Sequence, residues 1–151
     1  MNKKVLIFGA SGSLGTELVY LLEKKKYIVV KVQKKKINFL KKKLKNKIKK
    51  LLLRVKPDII INCVGYFDGN NASFEKIFKI NAYSNWLIVN YYIFNKIKKN
   101  VKIILVGSSA YKGPRRNYIL YSASKAAVHN IYLGARELLN KKKINLKIFH
   151  P

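Results

Sequence analysis

The chain has one cysteine, Cys63, so no disulfide can form within it. A disulfide-stapled secreted scaffold is excluded, and a reducing compartment is expected, by default the cytoplasm. Histidine is almost as scarce, with 2 in the chain, His129 and His150. Dispersed as these residues are, they do not predict a metal site. No run approaches the ~20 apolar residues of a membrane span. The opening Met1-Asn2-Lys3-Lys4-Val5-Leu6-Ile7-Phe8 superficially resembles a secretory signal. Its apolar stretch is too short and runs straight into glycines, so it reads as a buried strand.

Negative charge is also scarce: 6 Asp and Glu face 33 Lys and Arg, for a formal net charge of +27. Such a charge favours non-specific contact with polyanions. Dedicated nucleic-acid surfaces use arginine freely, for bidentate contacts. Here the only arginines are Arg54, Arg115, Arg116 and Arg136. The abundance of Lys, Ile and Asn, all with AT-rich codons, is what an AT-rich coding sequence yields. No specific nucleic-acid partner is expected.

What is present is ordinary globular composition, 49% hydrophobic and 26% charged over 151 residues. That is room for one domain, residues 1–151, with one core. Lys3 to Phe8, Tyr27 to Val32, Asp58 to Val64 and Val101 to Val106 are continuous apolar runs, suited to strands buried on both faces. Asn145 to Phe149 begins one more strand, and Ile37–Phe39 is a weak further candidate. Thr16 to Lys25 reads as a helix, with Leu18, Leu21 and Leu22 on one face. Within the lysine-rich stretch 33–56, Leu40, Leu44, Ile48, Leu51, Leu52 and Val55 keep a helical period, and Pro57 ends it. Such a basic amphipathic helix suits a sheet better than a membrane surface. Phe74 to Lys98 and Tyr121 to Leu139 read as long helices. Tyr66 to Ser73, with Gly69, Asn70 and Asn71, and Ala110 to Leu120, with Gly113-Pro114, read as loops. The alternation predicts an α/β fold with a doubly wound parallel sheet and helices on both faces.

Gly9-Ala10-Ser11-Gly12-Ser13-Leu14-Gly15 lies directly between a strand and a helix. One glycine permits the turn, one lets the backbone approach a pyrophosphate, and one lets helix and strand pack closely. The phosphates then sit at the positive end of the helix. This predicts dinucleotide binding by Gly9, Ser11, Gly12, Ser13, Leu14 and Gly15. An acidic residue usually ends the second strand and holds the adenosine ribose; here the strand ends Val32-Gln33-Lys34-Lys35-Lys36. Lys34 suits a 2′-phosphate, so the cofactor is read as NADP or NAD, with NADP favoured.

Tyr121 and Lys125 stand at i and i+4 of the last helix, on one face. A tyrosine of ordinary pKa near ~10 is a poor base at neutral pH, and a nearby ammonium favours the phenolate. Such a pair alone says little in this chain, where Tyr20 and Lys24 form another. Ser108 adds to it. It lies thirteen residues before Tyr121, at the end of a strand, where ligands of open α/β sheets bind.

Together the glycine loop, the Ser108-to-Tyr121 spacing and Tyr121-Ser-Ala-Ser-Lys125-Ala-Ala resemble the short-chain dehydrogenase/reductase family, along the whole chain. Asn62-Cys63-Val64-Gly65 is similar to that family's Asn-Asn-Ala-Gly motif, after its fourth strand. Asn81 is similar to the helix asparagine that anchors a water-mediated proton relay. The resemblance implies a Rossmann-type NAD(P)-binding domain. It makes Tyr121 the general acid/base, Lys125 the holder of the nicotinamide ribose, Ser108 the group that positions the carbonyl, and Asn81 the end of the relay. Asn62, Val64 and Gly65 would border the cofactor, with Tyr121 and Lys125 touching it. Ser109 rivals Ser108, because some relatives use the second serine of a Ser-Ser-Ala run.

Three functions stay open. One is hydride transfer between nicotinamide and a small carbonyl or alcohol. Another is epimerisation, dehydration or reduction of a sugar nucleotide, suggested by the Gly-x-x-Gly-x-x-Gly spacing. The third is a basic module or relic binding cofactor or nucleic acid without chemistry. Relatives continue beyond the position of Pro151, so the fold is expected to be incomplete at its C-terminus and to lack the substrate-covering part. Activity of the 151 residues alone, and homo-oligomerisation of a complete protein, are left open. His129 reads as a packing or interface residue, as do Trp86 and the tyrosines around it; His150 has no partner identifiable from sequence.

Overall fold

The computed structural model describes every residue except Met1, Lys42, Asn70, Ala72, Lys98, Lys99 and Pro114. Five strands form one parallel sheet: β1 (Lys4–Phe8), β2 (Ile28–Val32), β3 (Ile59–Asn62), β4 (Val101–Val106) and β5 (Ile144–Phe149), in the order β2-β1-β3-β4-β5. The β1 run is buried on both sides, with Val5, Leu6, Ile7 and Phe8 all inaccessible. Because alternate residues point to opposite faces, β1 feeds two separate cores. Val5 and Ile7 join Val19 of α1 (Ser13–Lys24) on one face. Leu6 and Phe8 join α2 (Leu44–Val55), α4 (Ser84–Phe94) and α5 (Ile119–Asn140) on the other.

That division follows from chain direction. The sheet order places β2 on one side of β1 and β3, β4 and β5 on the other. A right-handed crossover toward β2 puts its helix on one face, and crossovers in the opposite direction put theirs on the other. The sheet order reverses at β1, so a crevice opens between the C-terminal ends of β1 and β3, where open α/β sheets bind ligands.

Several boundaries differ from the sequence reading. Ile37 and Phe39 form no strand; they are buried within turns, with Phe39 at 6.4 Å from the Phe8 ring. Their apolar side chains close the core without pairing to the edge strand β2. The helix whose apolar face is expected to start at Leu40 begins only at Leu44. Asn38 Oδ1 accepts from Leu40 N at 3.0 Å, and Lys43 is left-handed at φ 64, so the chain turns first and Leu40 leaves the buried face. The stretch 74–98 is three segments: α3 (Phe74–Phe78), a π-helical turn (Lys79–Tyr83) and α4. It stops at Phe94 because Asn95 is extended (φ −116, ψ 148). Part of the loop after β4 is a 3₁₀ turn (Ser109–Lys112), and α5 starts at Ile119, before Tyr121. The expectations at Asn70, Pro114 and Lys98 lie outside the described residues. Among the described residues, no helix is long and apolar enough to cross a membrane.

Candidate active site

The glycine turn closes over the crevice. Gly9 N and Ala10 N donate to Val32 O at 3.0 and 3.3 Å, which ties the turn to β2. Gly9 has φ 74, and a Cβ there would lie 2.9 Å from Cys63 C and Val64 N. A Cβ on Gly15 would lie 2.1 Å from Gly9 O. These two glycines are therefore fixed by packing. Gly12 differs, since its Cβ would meet only Gly9 O at 3.5 Å, an ordinary contact. It is the N-cap of α1, where no side chain caps the helix and the first turn carries no acid. The opening amides of α1 are thus without a side-chain acceptor, as an anion site requires.

A cavity of about 270 Å³ runs along this edge. Gly9, Ser11 and Gly12 line one wall, Val64, Gly65 and Tyr66 another, and Gln33, Lys34 and Asn38 lie where β2 ends. No acid lines it. Of the expected cofactor residues, the structure gathers Gly9, Ser11, Gly12, Lys34, Val64 and Gly65 here. Ser13 and Leu14 begin α1 and are exposed, and Gly15 is buried beneath the turn. Asn62 faces inward: its Nδ2 donates to Asn85 Oδ1 (2.8 Å) and Ser84 Oγ (3.2 Å), and its Oδ1 accepts from Val64 N (3.3 Å). It shapes the wall without lining it. Cys63 also lines the cavity, and burial pushes its thiol up to about 11, so it is neutral and unreactive there.

The second half of the site comes from α5. Lys125 is buried, and its Nζ donates to Val106 O at 3.2 Å, at the end of β4. Burial pushes its pKa down to about 8. Its ammonium lies 5.6 Å from the centroid of the Tyr121 ring. Tyr121 is half-buried, and Phe67 stands edge-on to it at 5.2 Å while also meeting Tyr118 at 4.6 Å. Ser108 follows β4 and caps the 3₁₀ turn, its Oγ accepting from Ala110 N at 3.2 Å. Ser109 turns outward, and its Oγ accepts from Arg115 at 3.2 Å.

Asn81 joins the two halves. It is fully buried in the π turn. Its Oδ1 accepts from Tyr66 N (2.7 Å), and its Nδ2 donates to Tyr66 O and Ser124 Oγ (both 2.9 Å). Ser124 Oγ donates to Tyr121 O at 2.7 Å, and Asn85 Nδ2 donates to Asn81 O at 2.6 Å. A continuous polar network therefore runs from the β3 end to the backbone of Tyr121. Ser84, Asn85 and Ser124 went unnoticed in the sequence. Their signal was a polar residue at helical spacing within an apolar stretch, as Asn85 stands four after Asn81. Phe67 carried no such signal. His150, for which the sequence identifies no partner, meets Ser108, His129 and Tyr111.

A larger groove of about 650 Å³ lies across α3 and α4, lined by Phe74, Phe78, Tyr83 and Trp86 and rimmed by Lys41, Lys43 and Lys79. It is mainly apolar and shares no residue with the glycine turn or the Tyr121–Lys125 pair, so it is not the candidate active site.

The family model for short chain dehydrogenases matches residues 42–151. A short-chain dehydrogenase from Burkholderia cenocepacia, solved with NADP, superimposes with a TM-score of 0.85 at 18% identity, over 99% of this chain and 72% of that one. 4-Hydroxyisoleucine dehydrogenase, solved with NADH, gives 0.83 at 18% identity, over 99% and 75%. The dTDP-4-dehydrorhamnose reductase of Bacillus anthracis, solved with NADP, gives 0.73 at 20% identity, over 98% and 52%. Comparison with curated protein sequences found no significant match.

Proposed function

The chain belongs to the short-chain dehydrogenase family, and from that premise we propose that it transfers hydride between NAD(P) and a small carbonyl or alcohol. The observation that carries the reading is Lys125, buried on Val106 O beside Tyr121, at the sheet edge that also holds the glycine turn. A buried ammonium is costly to keep, and one held in a cleft beside a tyrosine is characteristic of functional sites.

The residues present suit a nicotinamide dinucleotide. The acid-free cavity and the uncapped amides of α1 fit a pyrophosphate. When bound, the cofactor supplies or accepts the hydride. Lys125 donates to the nicotinamide ribose hydroxyls, and its charge stabilises the negative charge that develops on Tyr121 as it gives up its proton. Tyr121 protonates the carbonyl oxygen during reduction and takes the proton back during oxidation. Ser108 donates to that oxygen and orients it. The outward turn of Ser109 toward Arg115 supports Ser108 over its neighbour. Asn81 holds the Tyr66 backbone and, through Ser124, the Tyr121 backbone in register. Lys34 at the β2 end, with no acid beside it in the cavity, favours the 2′-phosphate of NADP.

The test is loss of reduced-nicotinamide absorbance with a panel of aldehydes and ketones. Turnover that Tyr121→Phe abolishes, with NADPH binding retained, is the expected outcome. Equal turnover by the variant would rule out the assigned role. Sugar-nucleotide modification is the second reading, supported by the Gly-x-x-Gly-x-x-Gly spacing and the likeness to dTDP-4-dehydrorhamnose reductase. Product analysis with sugar nucleotides separates it from simple reduction. A basic binding module without chemistry, suggested by the +27 charge, requires polyanion affinity that outlasts NADPH affinity as salt rises.

A further inference from the structure

His150 sits against Ser108 and His129 sits against His150, both outside the roles assigned above. Gly107 N donates to Phe149 O at 2.7 Å, carrying the β4–β5 ladder just past β4. His150 follows, and its ring turns beneath Gly107 and Ser108. Its Nδ1 lies 3.1 Å from both Ser108 N and Ser108 O, and its Nε2 lies 3.3 Å from His129 Nδ1 on α5. The Tyr111 ring stacks on His129 at 4.0 Å and meets His150 at 4.3 Å. A Cβ on Gly107 would lie 2.4 Å from His150 Nδ1, so glycine is what leaves room for this ring.

One ring nitrogen cannot accept from the Ser108 amide and donate to the Ser108 carbonyl at once. A neutral His150 with its proton on Nε2 accepts the Ser108 N–H at Nδ1 and donates to His129. A protonated His150 carries hydrogen on both nitrogens, so Nδ1 must release the amide and turn to the carbonyl. The other titratable or charged groups on the packed elements are Tyr111 and Lys112 of the 3₁₀ turn, Tyr121, Lys125, Tyr132, Arg136 and Glu137 of α5, Lys102 of β4 and Lys147 of β5; Arg115, in the loop before α5, reaches Ser109. Burial, with His150 alongside, lowers the His129 pKa, which favours its neutral, accepting form.

We propose that His150, backed by His129 and Tyr111, is a positioning residue for Ser108, fixing its peptide while the imidazole is neutral and releasing it on protonation. The catalytic half of this proposal rests on the hydride-transfer reading; the structural half does not. Nitrogen-15 spectra of the full chain between about pH 5 and 8 test the structural half. The Ser108 amide is expected to titrate with the midpoint of the His150 ring. In His150→Asn, whose amide oxygen accepts the same N–H without titrating, the Ser108 amide is expected to stay flat. A Ser108 amide that ignores pH, or titrates equally in His150→Asn, overturns the proposal.

Reduction of the carbonyl panel by NADPH tests the catalytic half. The wild type is expected to lose kcat on the acid side at that midpoint. His150→Asn keeps kcat within a few-fold and loses the acid limb. His150→Phe lowers kcat by on the order of tenfold to a hundredfold with the KM for NADPH unchanged. An acid limb that persists in His150→Asn overturns the positioning role. Full turnover by the Tyr121→Phe control instead overturns the hydride-transfer reading, and with it the catalytic half.

Discussion

Replacing Gly12 by alanine separates binding from folding at the glycine turn. The added methyl meets only Gly9 O at 3.5 Å, and Gly12 already has φ −79 and ψ 165, which alanine adopts freely. Alanine is a poorer N-cap than glycine, so stability falls by no more than about 1 kcal/mol. Binding is another matter, because Gly12 lines the cavity beside the opening amides of α1. A methyl there pushes a pyrophosphate away from those donors. Losing one or two charge-assisted hydrogen bonds, each worth about 1.5–3 kcal/mol, costs roughly 3 kcal/mol. That is on the order of a hundredfold in Kd. Gly15→Ala is the control, with its methyl 2.1 Å from Gly9 O. The turn or α1 must move, at about 1–3 kcal/mol or more. Calorimetric titration with NADPH and thermal melts of both variants give the readouts. A Gly12→Ala protein that melts and binds like the wild type would refute a pyrophosphate at this turn.

Other expectations follow from the same geometry. Asn81→Leu leaves the part-buried Tyr66 amide and carbonyl without their partner, while the Ser124 hydroxyl loses one bond and keeps the other to Tyr121 O. At about 1–3 kcal/mol for a buried unsatisfied group and less for a part-buried one, denaturant titration should show a loss of about 2–3 kcal/mol; a loss under about 1 kcal/mol would mean that the network is not structural. Lys125 has a folded pKa near 8 against an ordinary 10.5, so the unfolded chain binds more protons between them and its contribution to stability rises with pH across that window. Relative to Lys125→Met, the wild type should gain on the order of 3 kcal/mol from below pH 8 to above 10.5; parallel melting curves would contradict the burial of its charge. Lys34→Ala should weaken NADPH binding about three- to tenfold more than NADH binding, the exposed ammonium being partly screened, and equal losses would remove Lys34 from the 2′-phosphate.

The strands were legible because each is a short apolar run between turn signals, and the glycine turn because it stands between a strand and a helix. Residues 33–43 were not. Their apolar positions continue the helical period of α2, while backbone turns onto Gln33 O and Asn38 O, the Asn38 side chain on Leu40 N and the left-handed Lys43 make the chain turn first. The π turn at Asn81 was hidden for a similar reason: an inserted residue leaves the composition helical while shifting which side chains face the site. In the site, Tyr121, Lys125 and Ser108 announce themselves by spacing. The inward turn of Asn62 is not legible in sequence, since it depends on Ser84 and Asn85, more than twenty residues away. His150 gained its partners only through the pairing of β4 with β5.

The most direct measurement of the central claim is a crystal structure of the chain with NADPH. The pyrophosphate is expected against Gly9 to Gly12 at the start of α1, and the nicotinamide ribose within hydrogen-bond reach of Tyr121 and Lys125. NADPH held by the lysines alone, or with its ribose away from Lys125, would contradict it.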